Sequence, residues 1–553
     1  MTIASQLQDI KHYRNAYILA LSAAMGSVFY GYDIGIIGGV ITLPAFKSYF
    51  GVNEMSASAK AALSGNIVAI LQGGCFFGAL GVGYFSNRWG RKPCMIAAGL
   101  FYIVGSVIQA VVGLGTSEKR ALSVLYFARF FAGLGVGMVS AIVPTYVSEA
   151  TPRAIRGRCT GMIQLANNLG IMLSYWVNYS ASLHISPTSA IQWRMPFAVQ
   201  VIPGVLFCLL VPFQPESPRF LVEQGDYEGA ARSLAFVTRT TPDDKAVLAT
   251  VEEIKADFAG RSNLSIFQQF AHMGDSRAIA LRCAIPSIVM FGQQWSGTNA
   301  INYFSPQIFA ALGISGTTSG LLATGVYGVV KVVSVSLVLA FAVEGIGRKK
   351  CLIIGGLGQG AMMLWLGGYT GLHPSTKIIP SSYVSIISVY LYAVFYCIGW
   401  GPLPWVVAAE VAPNHLRTGA MSIAIGVNWL FSFTISKITP IMLNNIKYGT
   451  FLLFGFCCLT MAVWAWLCLP ETTGYALEDI GLLFESDVIL RSVQDAPGGK
   501  WFIGDRRAVP IEKLRELHGP RAEGEGERDV DEKITDERLD LESGRKDSEV
   551  DVI

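Results

Sequence analysis

The chain has 553 residues, 52% of them hydrophobic and only 15% charged, with 59 glycines and a mean hydropathy of +0.45, which excludes a soluble multidomain enzyme and fits a polytopic membrane protein. The formal charge of +3 hides an asymmetry: residues 521–553 carry 13 acidic and 6 basic side chains (−7), against 26 acidic and 36 basic before them (+10). Ten scattered cysteines lack any paired CxxC spacing, so neither a metal site nor a disulfide framework is indicated, and no motif calls for a cofactor or a nucleic-acid partner.

The first fifteen residues are polar and the following apolar run is too long for a secretory h-region, so no cleavable signal peptide is expected. Apolar runs near the length that crosses about 30 Å of hydrocarbon fall at 16–43, 61–84, 94–113, 122–143, 160–182 and 195–213. A charged block at 214–276, holding the helix-like DYEGAARSLAFV and AVLATVEEIKADF, reads as a cytoplasmic helical linker. Six more runs follow at 278–311, 318–342, 351–371, 382–408, 419–443 and 449–469. The pattern predicts an all-α membrane protein of twelve transmembrane helices in two six-helix halves, 16–213 and 277–470, flanked by cytoplasmic segments 1–15 and 471–553. The second of these is expected to be mostly disordered from its charge and its Gly and Pro content.

The short loops on one side hold ten Lys and Arg, including Arg91, Arg153 and Arg348, against seven on the other, which predicts that the first side, with both termini, is cytoplasmic. Three motif pairs recur at similar offsets: Arg91 with Arg348, Glu149 with Glu410 and Glu216 with Glu471, separated by 257, 261 and 255 residues. In the second pair the spacing E-x-x-P-x-x-x-R is kept, so the two halves read as a repeat.

Inside the seventh run lies FGQQWSGTNAINYFSP, Phe291 to Pro306, dense in amides and hydroxyls. On a continuous helix Gln294, Thr298 and Ile301 share a face, Gln293 aligns with Gly297, and Asn299, Asn302 and Tyr303 extend the stripe. Such a stripe suits a neutral, hydroxyl-rich solute; the competing reading is hydrogen-bonded glue between helices. Asp33, in the first run, is costly to ionise in lipid and is a functional candidate, with Arg129 in the fourth run as its natural partner; a static salt bridge is the other reading. Lys331 falls within an apolar run where it cannot easily reach water, and would suit a carboxylate-bearing polyol unless it pairs structurally. Lys437 lies nearer a membrane face and is expected to snorkel.

Nine stretches in this order, GYDIGIIGG, GYFSNRWGRK, RFFAGLGVG, PTYVSEATPRAIRGR, PESPR, QQWSGTNAINYFSP, EGIGRKK, GWGPLPWVVAAEVAPNHLR and PETTG, resemble the sugar porter branch of the major facilitator superfamily over residues 15–485. QQWSGTNAINYFSPQIF and ATGVYGVVK are also similar to fungal quinate permeases. The resemblance implies two halves with the substrate at their interface. It places sugar contacts on Gln164, Gln293, Gln294, Asn299, Tyr303, Trp400 and Asn428, where amides match vicinal hydroxyls and Trp400 either faces C–H groups or marks a helix bend. It implies proton coupling through Asp33 and Arg129, with the reservation that Gln200 stands where some bacterial proton symporters carry a second carboxylate. It makes Arg91, Glu149, Arg156 and Arg158, with Glu344, Arg348, Glu410 and Arg417, cytoplasmic gating salt bridges, although Asn87 stands where many members have aspartate. The expected function is proton-coupled import, across the plasma membrane, of a monosaccharide or quinate-like ring acid. A passive uniporter is the alternative, and a non-transporting nutrient sensor a more distant one.

Overall fold

The computed structural model describes residues 12–114, 118–152, 154–259, 266–314, 316–339, 346–373, 379–413, 416–472, 480 and 484. Along the first half run α1 (Arg14–Val40), the short α2 (Pro44–Tyr49), α3 (Ala57–Trp89), α4 (Arg91–Val111), α5 (Glu118–Ala150) and α6 (Arg156–His184), then α7 (Ile191–Val199) and α8 (Val201–Leu210), which together make the sixth crossing. The linker holds α9 (Pro218–Glu223), α10 (Tyr227–Thr238), α11 (Lys245–Ala259) and α12 (Ile266–His272). In the second half α13 (Arg277–Trp295) and α14 (Thr298–Ala311) share one crossing, followed by α15 (Thr317–Leu337) and α16 (Arg348–Leu372). Then α17 (Pro380–Ile398) and α18 (Leu403–Val411) share another, before α19 (Arg417–Asn445) and α20 (Gly449–Cys468).

These are the twelve crossings of a two-half bundle, and ten of them are long and apolar enough to span by composition. The two that fall short are α6, which carries Gln164, Asn167 and Asn168, and the interrupted α13–α14. Polarity lowers the span signal where the bundle interior needs it. Backbone groups satisfied within each helix permit this in lipid, while Phe77, Phe127, Leu209 and Phe456 face outward as an apolar coat.

Close helix approach is bought with small residues. Gly74 and Gly78 of α3 face Phe130 O and Leu134 O of α5, and Gly133 and Gly137 of α5 face Leu71 O and Cys75 O in return. A Cβ at any of the four would come within 2.1–2.2 Å of a backbone oxygen, so this contact admits no side chain. In the linker, α9, α10 and α11 close over Val222, Ala230, Ala235, Val247 and Val251, and Asn15 Nδ2 at the start of α1 donates to Phe236 O of α10 at 2.8 Å.

The stretch 291–306 is not one continuous helix. α13 ends at Trp295, Gly297 adopts φ +84°, and α14 begins at Thr298. Left-handed backbone at this point favours glycine, and the break displaces Thr298 and Asn299 from the positions a straight helix gives them.

Candidate functional site

A cavity lies between the halves, with about 990 Å³ of empty space counting the part continuous with solvent. Its lining stops at one depth on every helix. On α1 it reaches Ile34, on α6 Ile171, on α14 Tyr303 and on α19 Ser432, while on the oppositely directed α5, α15 and α17 it begins at Ser140, Lys331 and Tyr396. Beyond it these described residues are packed: Gly38 lies against Tyr303 O so closely that a Cβ would sit 2.0 Å away, and Ile36, Ile37, Val40, Phe304 and Ile308 are buried. The cavity therefore opens toward the face that carries Arg91 and Arg348, called here the basic face, and is shut on the other.

The amide cluster lines it. Gln293 Nε2 donates to the carbonyls of Trp400 (3.0 Å) and Gly401 (2.8 Å), and Gln293 Oε1 accepts from Asn428 Nδ2 (2.9 Å). Gln294 Oε1 accepts from Asn299 Nδ2 at 2.6 Å, which also donates to Ser432 Oγ at 3.0 Å. This Gln294–Asn299 bond spans the Gly297 break and depends on it, because residues five apart on a straight helix do not face one another. The Tyr303 hydroxyl accepts from Gln72 Nε2 of α3, across the halves. Gln164 lines the opposite wall from α6. Gln293 is thus clamped by protein, whereas Gln294 Nε2 and Asn299 Oδ1 have no protein partner among the described residues.

Trp400 stands apart from the others. It is fully buried behind the cavity, its Nε1 donates to Leu352 O at 3.0 Å, and it occupies the bend between α17 and α18. The tryptophans that do line the cavity are Trp405 and Trp429. Trp405 belongs to the same GWGPLPW stretch, but the turn at residues 399–402 offsets the two indoles, an offset that a periodic reading cannot give. Asn302, Asn167, Asn168, Tyr30 and Tyr396 also line it; Asn302 was visible in the polar stretch, while the others sit on faces that only the packing defines.

Lys331 is 2% exposed and lines the cavity. Its Nζ donates to Asn302 Oδ1 at 3.3 Å and lies over the rings of Tyr327 and Tyr396, at 5.9 and 5.5 Å. Lys437 does not simply snorkel: its Nζ donates to Asn66 Oδ1 of α3, joining the halves on the closed side.

Asp33 and Arg129 sit outside the cavity lining, within the first half. Tyr30 and Ile34 of α1 face the cavity, while Asp33 between them turns toward α5. Arg129 Nη1 donates to Asp33 Oδ1 at 2.5 Å and both side chains are 0% exposed. Arg129 Nε reaches Ile67 O at 3.4 Å, while Asp33 Oδ2 and Arg129 Nη2 have no hydrogen-bond partner among the described residues.

On the basic face the two halves repeat one network. Arg91 pairs with Glu149 (3.0 Å) and Arg348 with Glu410 (3.3 Å). Glu216 accepts from the backbone amides of Arg91 (3.1 Å) and Lys92 (3.0 Å), and Glu471 from those of Arg348 (2.9 Å) and Lys349 (3.1 Å), so each carboxylate caps the positive end of a helix, α4 or α16. Ser217 Oγ then donates to Glu149 and Thr472 Oγ1 to Glu410. The residues before the two helices, Gly90 and Gly347, have φ +96° and +99°, and a Cβ on either would come within 2.6 Å of the capping carboxylate. Both ion pairs fasten helices of the same half and are formed while the cavity opens toward this face, so in this structure their rupture is not what opens it. Arg156 and Arg158 begin α6, where Arg156 Nη2 donates to Thr151 O at 3.5 Å, and Arg417 begins α19. Glu344 lies outside the described residues.

Residues 19–484 match the family model "Sugar (and other) transporter". The chain belongs to this sugar transporter family. A probable quinate permease of Aspergillus fumigatus is 35% identical over 487 residues, covering 86% of this chain and 88% of that one. A quinate permease of Neurospora terricola is 34% identical over 479 residues, 85% and 88% of the two chains. Among solved structures, the proton:xylose symporter XylE bound to 6-bromo-6-deoxy-D-glucose matches with a TM-score of 0.70 and 28% identity, over 86% of this transporter and 100% of that chain. An inward-open structure of the xylose transporter XylE from E. coli matches with a TM-score of 0.70, 28% identity, and coverage of 85% and 100%. The transporter is accordingly a multi-pass membrane protein of the major facilitator fold, and not an enzyme.

Proposed function

We propose that this transporter is a proton-coupled symporter that imports a small polyhydroxylated solute by alternating access, with a ring acid such as quinate favoured over a hexose by the names of its relatives. The observation that carries coupling is the Asp33–Arg129 pair, sealed at 0% exposure beside the cavity and not in it. A buried pair is costly to assemble and has most to gain from a second use. A proton delivered to Asp33 Oδ2 neutralises the carboxylate and releases the Arg129 guanidinium, loosening α1 from α5. Since α1 also packs on α14 at Gly38, that loosening reaches the seal between the halves. Gln164, Gln294, Asn299, Tyr303 and Asn428 contact the solute hydroxyls, with Trp405 as an apolar face in the position expected of Trp400. The proposed orientation puts the basic face, the linker and both termini in the cytoplasm, which the excess of Lys and Arg in the short loops on that side supports, and the proposed location is the plasma membrane. Arg156, Arg158, Arg417 and Glu344 remain as the proposed gate on that face.

The test is uptake into proteoliposomes under an imposed proton gradient, with glucose, xylose, galactose and quinate as substrates. Accumulation that rises as the outer pH falls, and that Asp33→Asn abolishes while substrate exchange persists, is the expected result. Accumulation by Asp33→Asn with unchanged pH dependence overturns coupling at this residue, and equilibration without accumulation by the native protein supports the uniporter reading.

A further inference from the structure

We propose that Lys331 is a specificity-determining residue whose ammonium pairs with a carboxylate on the substrate, so that the site selects monoanionic polyhydroxy acids over neutral sugars; this rests on the cavity being the solute site.

The cavity is lopsided in charge. Of the described residues that line it, Lys331 alone is ionisable to a cation and none is acidic. No carboxylate of the described residues lies within ion-pair distance of Nζ, unlike the buried Arg129, which has Asp33 at 2.5 Å. An ammonium has three donors and no acceptor. Here one reaches Asn302 Oδ1 at 3.3 Å, an oxygen that also takes the Tyr327 hydroxyl at 3.3 Å, and the ring faces of Tyr327 and Tyr396 supply only weak quadrupolar attraction. A cation so deeply buried without an opposite charge is costly, and an anion arriving in the cavity supplies what the protein withholds.

The neighbouring groups give the carboxylate a second contact. Asn302 Oδ1 is committed to Lys331 and Tyr327, which turns its amide nitrogen into the complementary donor on the same wall. Asn302 is itself held in place, since its backbone oxygen accepts from Tyr175 at 2.8 Å. One pole of the cavity thus offers an ammonium and an amide N–H to a carboxylate. The amides of Gln294 and Asn299 further along α13 and α14 remain for hydroxyls. A six-carbon ring bearing one carboxylate and several hydroxyls satisfies both poles, whereas a hexose leaves the ammonium uncompensated.

Equilibrium binding to the purified full-length protein, by calorimetry with quinate, glucose and myo-inositol as probes, tests this. Replacing a charge-assisted contact with a neutral one in Lys331→Gln lowers quinate affinity by about 10- to 100-fold, with glucose and myo-inositol binding unchanged or improved. Lys331→Arg keeps most of the quinate affinity. Asn302→Asp, of the same size, places a carboxylate beside the ammonium within the protein and suppresses quinate binding as Lys331→Gln does, which keeps the test valid if that variant is poorly folded. Quinate affinity within twofold of native in both Lys331→Gln and Asn302→Asp overturns the assignment. A native protein that binds neutral probes but not quinate also overturns it, while leaving the solute site standing; one that binds no probe overturns both.

Discussion

Gln72 on α3 donates a hydrogen bond to the hydroxyl of Tyr303 on α14, and so joins the two halves at the floor of the cavity. Gln72 lies little more than one turn from Ile67, whose carbonyl takes Arg129 Nε, so the bond stands between the buried ion pair and the amide cluster. Tyr303→Phe and Gln72→Leu are each expected to slow concentrative uptake, and the double variant to be no worse than the more impaired single one. A double-mutant cycle on uptake rate checks this, with an expected coupling of about 0.5–1.5 kcal/mol; simple additivity would show that the bond does not act as a unit.

Removing one partner of a buried ion pair strands the other. Arg129→Leu is expected to destabilise the protein by about 3–5 kcal/mol, and Arg129→Leu combined with Asp33→Asn to recover a large part of that loss. Thermal unfolding of the detergent-solubilised variants measures both.

Gln293 and Gln294 are adjacent but differently employed. Gln293 is bonded to Trp400 O, Gly401 O and Asn428, so Gln293→Ala is expected to lower both the melting temperature and substrate affinity. Gln294 Oε1 holds Asn299 while its Nε2 has no protein partner among the described residues, so Gln294→Ala is expected to cost about tenfold in affinity through the lost hydrogen bond to the ligand, with a smaller fall in melting temperature than Gln293→Ala. Paired binding and melting measurements separate the helix-gluing role from the binding role.

The capping carboxylates make a symmetric prediction. Glu216→Gln and Glu471→Gln each weaken a helix cap and its dipole contact, at about 0.5–2 kcal/mol apiece. Gly90→Ala and Gly347→Ala are expected to cost more than either, because they add backbone strain to a clash with the carboxylate. Denaturation of the four variants side by side gives the ranking.

Twelve crossings were legible in the sequence because apolar length is a coarse and robust signal, and the repeat of Arg91, Glu149 and Glu216 was legible because motif order does not depend on packing. The runs understated α3 and α5, each 33 residues long, since polar helix ends project past the hydrocarbon. The buried Asp33–Arg129 contact followed from the cost of charge in lipid. A straight-helix reading misses the break at Gly297, which rotates Asn299 toward Gln294; at the other interrupted crossing the bend was one of the two readings of Trp400, and what stayed hidden is that the turn at 399–402 brings Trp405 to the cavity instead. Glu149 was expected among the salt bridges of the loop arginines, but that Glu216 takes the backbone amides of Arg91 and Lys92 was hidden, because that contact is made by the turn at Gly90.

Asp33 and Arg129 both belong to the first half, whereas Lys331, Asn302, Gln294 and Asn299 all belong to the second. On the proposed reading, the coupling pair and the carboxylate-selecting groups therefore sit in different halves, with Gln164 as the first half's contribution to the hydroxyl contacts. On that reading a change of cargo needs only a few side chains on α14 and α15 and leaves Asp33 and Arg129 untouched, and a chimera joining this first half to the second half of a neutral-sugar carrier tests the separation.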